Sequence, residues 1–222
     1  MDSILRYLGN AGTQREILDR LVEHVYLSLL PVVLAVLLAV PLGWCTHRFR
    51  WLRAGLFGVA NVVYTIPSLA LFVLIPAVIG TQILSPVNVV AALTIYTTAL
   101  LVRPVADALD AVPAHVVAAA TAMGYRPLHR LLTVELPLAV PVLGAGVRVG
   151  SVSNISLVSV GALIGTGGLG VLFTDGFSRR YPAPILVGVV LTLLLALVVD
   201  RLLVLVQRRL TRWARAGEVT GG

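Results

Sequence analysis

The chain has 222 residues, of which 58% are hydrophobic and 12% charged, and its formal net charge of +7 is built from arginine without any lysine. A soluble domain carries roughly 45–50% apolar and about 25% charged residues, so a water-soluble fold is excluded, and the length is one domain's worth. The basic balance does not indicate nucleic acid as a partner, because arginine-rich loops beside anionic lipid give the same excess.

The first apolar run, 25–46, holds 22 residues without a charge and predicts a span over about 22–46. It is of full span length and begins some twenty residues in, so no cleavable signal peptide is evident. Cys45, at its end, is the one cysteine, which leaves no internal disulfide. The next uncharged run, 54–102, has 49 residues. As a single helix at about 1.5 Å per residue it would be more than twice a hydrocarbon core of about 30 Å. It must fold back once, and Pro76, Gly80, Thr81, Gln82, Ser85 and Pro86 supply the turn. Spans over about 55–79 and 86–106 follow. A polar stretch occupies 107–136, and two further apolar runs predict spans over about 137–163 and 182–206. The runs are continuous in Leu, Val and Ala rather than alternating, which argues against barrel strands. The expectation is one all-α integral membrane domain over 1–222 with about five transmembrane helices.

Five spans divide the arginines unevenly. Arg48, Arg50, Arg53, Arg103, Arg126, Arg130, Arg201, Arg208, Arg209, Arg212 and Arg215 fall on one side, and Arg6, Arg15, Arg20, Arg179 and Arg180 on the other. The arginine-rich side is expected to be cytoplasmic, with the N-terminus outside, the C-terminus inside and the 107–136 stretch in the cytoplasm.

That stretch reads as helical. Pro113 suits the first turn of a helix and Gly124 the position just past its end. Between them Val116, Ala119, Ala120 and Met123 recur at i, i+3, i+4 and i+7, which predicts one apolar face. Pro127 starts a second short helix expected to end near Pro137. A helix lying on lipid headgroups would carry bulky Leu, Trp or Phe opposite its charges. This one offers mainly Ala and Val, which favours close docking in a protein groove.

The segment Ala118-Ala-Ala-Thr-Ala-Met-Gly124, followed by Val134-Glu-Leu-Pro-Leu-Ala-Val-Pro141, resembles the cytoplasmic coupling loop of ABC-importer permeases. Thr65-Ile-Pro-Ser-Leu-Ala-Leu71, Gly144-Ala-Gly-Val-Arg148 and Ile164-Gly-Thr-Gly-Gly-Leu-Gly170 are similar to the permeases of osmoprotectant importers, which carry glycine betaine, carnitine, choline or proline betaine. The resemblance implies a type I importer permease fold in a bacterial plasma membrane. It also implies an ATPase dimer that carries ATP and Mg, a second permease subunit, identical or homologous, and an extracytoplasmic binding protein. No Walker A sequence occurs in this chain, so ATP hydrolysis is expected from the partner and the chain itself is expected to be neither an enzyme nor a cofactor-binding subunit. The coupling residues implied are Asp110, Val116, Ala118, Ala119, Ala120, Met123, Gly124, Arg126 and Pro137. One position departs from the family: the Glu at the head of the loop is Ala118 here, which leaves docking to shape, to Asp110 and Arg126 at the rim, or to a Glu on a non-identical second permease.

Arg148 lies about eleven residues into the fourth expected span. A charge there belongs against a cavity or a partner rather than lipid; it either lines a gate, snorkels, or bonds backbone carbonyls at a subunit contact. No acid is expected deep in a span to neutralise a cationic substrate. Aromatic faces would do so by cation–π attraction, and Tyr64 and Tyr96 are candidates, with Asn61, Thr65, Ser68 and Asn154 adding neutral polarity to the path. Polar residues are also ordinary glue between membrane helices.

Gly165-Thr-Gly-Gly-Leu-Gly170 matches GxGxxG but follows a membrane span instead of a strand, so it reads as a glycine-rich extracytoplasmic turn. Asn154-Ile-Ser156 lies inside a span and cannot serve as a glycosylation site. His24, His47, His115 and His129 lack the spacing of a metal site. An importer permease for another small solute such as an amino acid, and a stand-alone channel, are the alternatives left by the sequence.

Overall fold

The computed structural model describes residues 2–211. Arg212 and Arg215, placed above on the arginine-rich side, lie outside them. Every regular element among the described residues is helical. Helix α1 (Asp2–Leu8) precedes Asn10, whose side-chain oxygen accepts a hydrogen bond from the Gly12 N–H at 2.8 Å and caps α2 (Ala11–Arg48). At 38 residues α2 is about 57 Å long, so the apolar run 25–46 is the inner part of a helix that projects beyond a bilayer.

Phe49 interrupts the helix before α3 (Arg50–Thr65), which is followed by α4 (Ser68–Ile79). The segment expected as one span over 55–79 is therefore two helices, and they meet at 104°. Pro67 is the cause. The residue before a proline is driven out of the helical region, and Ile66 sits extended at φ −64° and ψ 127°. The fold-back after α4 starts at Gly80, left-handed at φ +71°. Asn88 closes it by donating to the carbonyls of Gln82 and Ile83 and accepting from the Thr81 hydroxyl.

Helix α5 (Pro86–Asp110) leads to α6 (Ala114–Ala122) and α7 (Pro127–Arg130). The second short helix does not end near Pro137 as expected. It runs through a π-helical turn (Leu131–Glu135) into α8 (Leu136–Gly161), with the Leu136 N–H bonded back to the Leu131 carbonyl. Pro137 has no N–H to give to the ladder and would break a regular helix. Here it follows a turn that has already changed the bonding pattern. A 3₁₀ turn (Ala162–Ile164), a glycine-rich loop, α9 (Val171–Ser178) and α10 (Pro182–Leu210) complete the chain. Among the described residues four helical stretches are long and apolar enough to cross a membrane, five if the bent α3–α4 pair counts as one span.

Helix α5 is the centre, packed against α2, α3, α4 and α8. Small residues let α2 approach it. Ala35 and Ala39 are fully buried, and a Cβ on Gly43 would overlap the Val105 side chain. Such close approach is how helices gain packing where lipid supplies no hydrophobic drive. Helix α10 touches only α8, α9 and α1 closely and leaves Leu193, Leu197, Leu202 and Leu205 exposed, as a face that meets lipid requires.

Candidate functional site

The loop between α5 and α8 is an ordered pair of short helices laid across the ends of the long ones. Pro113 occupies the N-cap of α6, and Gly124 follows its last turn at φ +85°. The Tyr125 N–H returns to the Ala120 carbonyl and the Gly124 N–H to the Thr121 carbonyl, so the glycine closes the helix end as a left-handed cap does. The Tyr125 and His129 rings then stack at 4.8 Å across the turn into α7.

The expected apolar face of α6 divides. Ala120 is only 2% exposed and points inward, Val117 packs against the core beside it, and Val116 is half-buried. Ala118, Ala119 and Met123 face outward, Met123 at 69% exposure. A nine-residue helix lying on a bundle needs apolar side chains for the bundle itself, so the four positions cannot all serve a partner. What remains outside is a smooth patch of alanine around one flexible methionine, with Gly124 and Arg126 exposed at its edge and Pro137 exposed farther along. Ala118 adds no charge to it.

Asp110, expected as a free rim contact, is engaged within the chain. Its Oδ1 lies 2.6 Å from His47 Nδ1, and its Oδ2 accepts from Arg53 NH1 at 2.8 Å. Arg53 also donates to Asp107 at 3.2 Å. The other His47 nitrogen, Nε2, is 4.0 Å from Glu135 Oε2, while Arg130 Nε donates to Glu135 Oε1 at 2.5 Å. Arg130 NH1 reaches the Thr121 hydroxyl on α6 at 2.6 Å. Glu135 is 1% exposed. Glu135, Arg130, His47 and Arg53 were given no site role from the sequence. Glu135 recurs with Leu131 and Ala139 at four-residue steps on one buried face, and an acid in that register is the signal that could have found it.

The expected path residues do not form one cluster. Asn61, Tyr64, Thr65 and Ser68 gather at the α3–α4 bend, and Tyr96 of α5 stands against Tyr64 with ring centroids 4.7 Å apart. Tyr64 is exposed and Tyr96 half-buried. Asn154 is buried inside the bundle, where it accepts from Thr97 Oγ1 at 2.8 Å and donates to the Ser28 carbonyl at 3.2 Å. It is glue between α2, α5 and α8. Arg148 lies apart, on the α8–α10 side, and is held by a side chain rather than by backbone carbonyls. Its Nε and NH2 donate to the two oxygens of Asp200 at 2.6 and 3.0 Å. The expectation that no acid lies deep in a span is therefore wrong: Asp200 stands at the depth of Arg148.

At the opposite end of the bundle the glycine-rich loop is clasped by two neighbours on α2. The Gly168 N–H donates to Glu23 Oε2 at 2.8 Å, and the Leu169 N–H donates to His24 Nδ1 at 3.1 Å. Nδ1 is thus the acceptor nitrogen, which leaves Nε2–H to donate to the Ile155 carbonyl at 2.9 Å. His24 is fully buried and holds α2, α8 and the loop together. Gly168 is left-handed at φ +78°, and a Cβ on it would press on the His24 ring. Among the described residues no three His, Cys, Asp or Glu side chains gather as a metal ion would need.

The geometry has known counterparts. The permease of the MetNI methionine ABC transporter, in an inward-facing conformation, has the same fold: TM-score 0.73 at 20% identity, over 91% of this chain and 98% of that one. The osmoprotectant import permease protein OsmW of Salmonella typhimurium is 37% identical over 206 residues, 91% of this chain and 94% of that protein. The choline transport system permease protein OpuBB of Bacillus subtilis is 32% identical over 211 residues, 95% of each chain. The model of one family matches residues 32–212, and the chain belongs to that family, the inner membrane components of binding-protein-dependent transport systems.

Proposed function

We propose that this chain is the permease subunit of an ATP-driven importer for quaternary-amine osmoprotectants. The observation that carries the substrate class is similarity over nearly the full length to permeases named for osmoprotectants, choline, glycine betaine and carnitine, at 29–37% identity. In this reading the α6 end is cytoplasmic, as the arginine distribution favours, and the glycine-loop end faces the binding protein. Two permeases enclose the path, and two ATPase subunits carrying ATP and Mg dock on the alanine patch of each α6.

The ATPase shifts the permease between outward and inward states only by contacting them differently. A smooth, small-residue surface suits that task, since it lets a groove close tightly around the helix. In the membrane the Tyr64–Tyr96 pair offers a π face to a quaternary ammonium, worth about 0.5–2 kcal/mol per ring. Arg148 is neutralised by Asp200 and so does not repel a cationic cargo as a bare charge would. High-affinity selection is left to the binding protein.

The test is uptake in cells that lack their own osmoprotectant importers and express this chain with its partner subunits. Radiolabelled choline, glycine betaine or carnitine should accumulate, and energy poisons that deplete ATP should stop it. Accumulation of an amino acid with none of the quaternary amines would overturn the substrate assignment.

A further inference from the structure

We infer that Arg130, Glu135, His47 and Asp110 form a positioning relay that carries movement of α6 into the ends of α2, α3 and α5; the inference rests on α6 being the helix that docks the ATPase. Thr121 lies in the last turn of α6, Arg130 on α7, Glu135 in the π-helical turn, His47 at the end of α2, Asp110 at the end of α5 and Arg53 at the start of α3. Each is joined to the next by a polar contact: 2.6, 2.5, 4.0, 2.6 and 2.8 Å in that order. Alanine and valine faces can slide past one another. Four directional hydrogen bonds cannot; the one longer step, Glu135 to His47 at 4.0 Å, is a close polar approach that links the two halves, so a push on α6 is delivered to three membrane helices at once.

Two features make the relay more than a surface network. Glu135 is enclosed, with one oxygen held by Arg130 and the other turned to His47. A buried carboxylate that loses its partner is strongly penalised, so Arg130 and Glu135 move together or not at all. The second feature is the backbone that carries Glu135. A π-helical turn interrupts the regular ladder at the joint between the α6–α7 unit and α8, and such turns are frequent at functional sites. The joint is where α6 has to move against the bundle.

Thr121 gives the cleanest test, because it is exposed and its hydroxyl is the first link. Thr121→Val keeps the shape and removes the acceptor for Arg130; Thr121→Ser restores it. The full transporter, purified with its ATPase and binding protein and placed in proteoliposomes, is assayed for choline moved per ATP hydrolysed and for ATPase retained. Thr121→Val should keep the ATPase and go on hydrolysing ATP, while transport per ATP falls about fivefold or more, the low end of ordinary coupling between sites. Thr121→Ser should transport like wild type, and Glu135→Gln should lose more than Thr121→Val. Wild-type transport per ATP in Thr121→Val overturns the relay, as does a loss that Thr121→Ser fails to rescue. Should Glu135→Gln not assemble, the Thr121 pair still decides. A wild-type complex with no ATP-driven uptake would instead overturn the importer reading on which the relay rests.

Discussion

Arg148 and Asp200 form a two-pronged ion pair, Nε to Oδ1 at 2.6 Å and NH2 to Oδ2 at 3.0 Å, that ties α8 to α10. Helix α10 has few other polar attachments to the bundle, and its outer face is leucine and valine. The pair adds to the fit of Gly188 against Phe173 and to the Gln207 side chain, which donates to the Pro141 carbonyl at 3.0 Å, in setting the rotation of α10.

Removing one partner strands the other charge among apolar neighbours, which is costly in a membrane. Asp200→Asn is expected to reduce the yield of monodisperse protein in mild detergent and lower its unfolding temperature. The double variant Arg148→Gln with Asp200→Asn should recover most of that loss, since neither side then carries a charge. A thermal melt of the four proteins forms a double-mutant cycle, and additivity of the two single losses would show that the pair contributes nothing as a pair.

Gly124→Val should impair docking of the ATPase without preventing membrane insertion. Nothing surrounds a Cβ at this position, so the penalty comes from φ +85°, where an L-residue costs roughly 1–2 kcal/mol. The end of α6 and the path into α7 would shift in response. Gly124→Asn should be milder, because asparagine tolerates the left-handed region. ATPase co-purification at equal membrane levels of permease reads the effect; equal recovery with valine would show that this turn does not shape the docking surface.

His24→Ala leaves the buried Leu169 N–H unpaired and removes the second bond to the Ile155 carbonyl, which keeps its helical partner within α8. The orphaned N–H costs about 1–3 kcal/mol. The expected result is a clear drop in unfolding temperature and faster proteolysis within the glycine-rich loop. His24→Gln, which can still reach one of the two groups, should fall between.

Tyr64→Ala or Tyr96→Ala should raise the apparent KM for choline uptake by about 2- to 30-fold, the range that cation–π energies of about 0.5–2 kcal/mol convert to. Phenylalanine keeps the π face and should stay near wild type. An unchanged KM in both alanine variants would remove the pair from the path.

The number of apolar runs, the fold-back at Gly80 and the helix between Pro113 and Gly124 were legible because each rests on local chemistry: missing charge, turn residues, or a proline and a glycine at opposite helix ends. The 104° bend at Ile66–Pro67 was not, because hydropathy reports burial and not direction, even though Thr-Ile-Pro-Ser carried the break. Asp200 was overlooked for a related reason: a single acid is averaged away among leucines, and nothing in spacing says that a residue 52 positions from Arg148 lies beside it. Asn154 was assigned to the path, with glue between helices as the alternative, and Ala120 to the docking face; only packing shows that both are buried within the bundle. In the loop between α5 and α8 the short helix was readable; the polar contacts behind it join residues up to 88 positions apart in the chain and exist only once α2, α5 and the π turn are brought together.

The central claim, that α6 couples this permease to an ATPase, is tested most directly by purifying the chain from its native membranes in mild detergent and identifying every co-purifying protein. The account predicts an ATPase, lost when Gly124 is replaced by valine, together with a second permease subunit. Recovery of the chain as a lone homo-oligomer, active or not but without any ATPase, would contradict it.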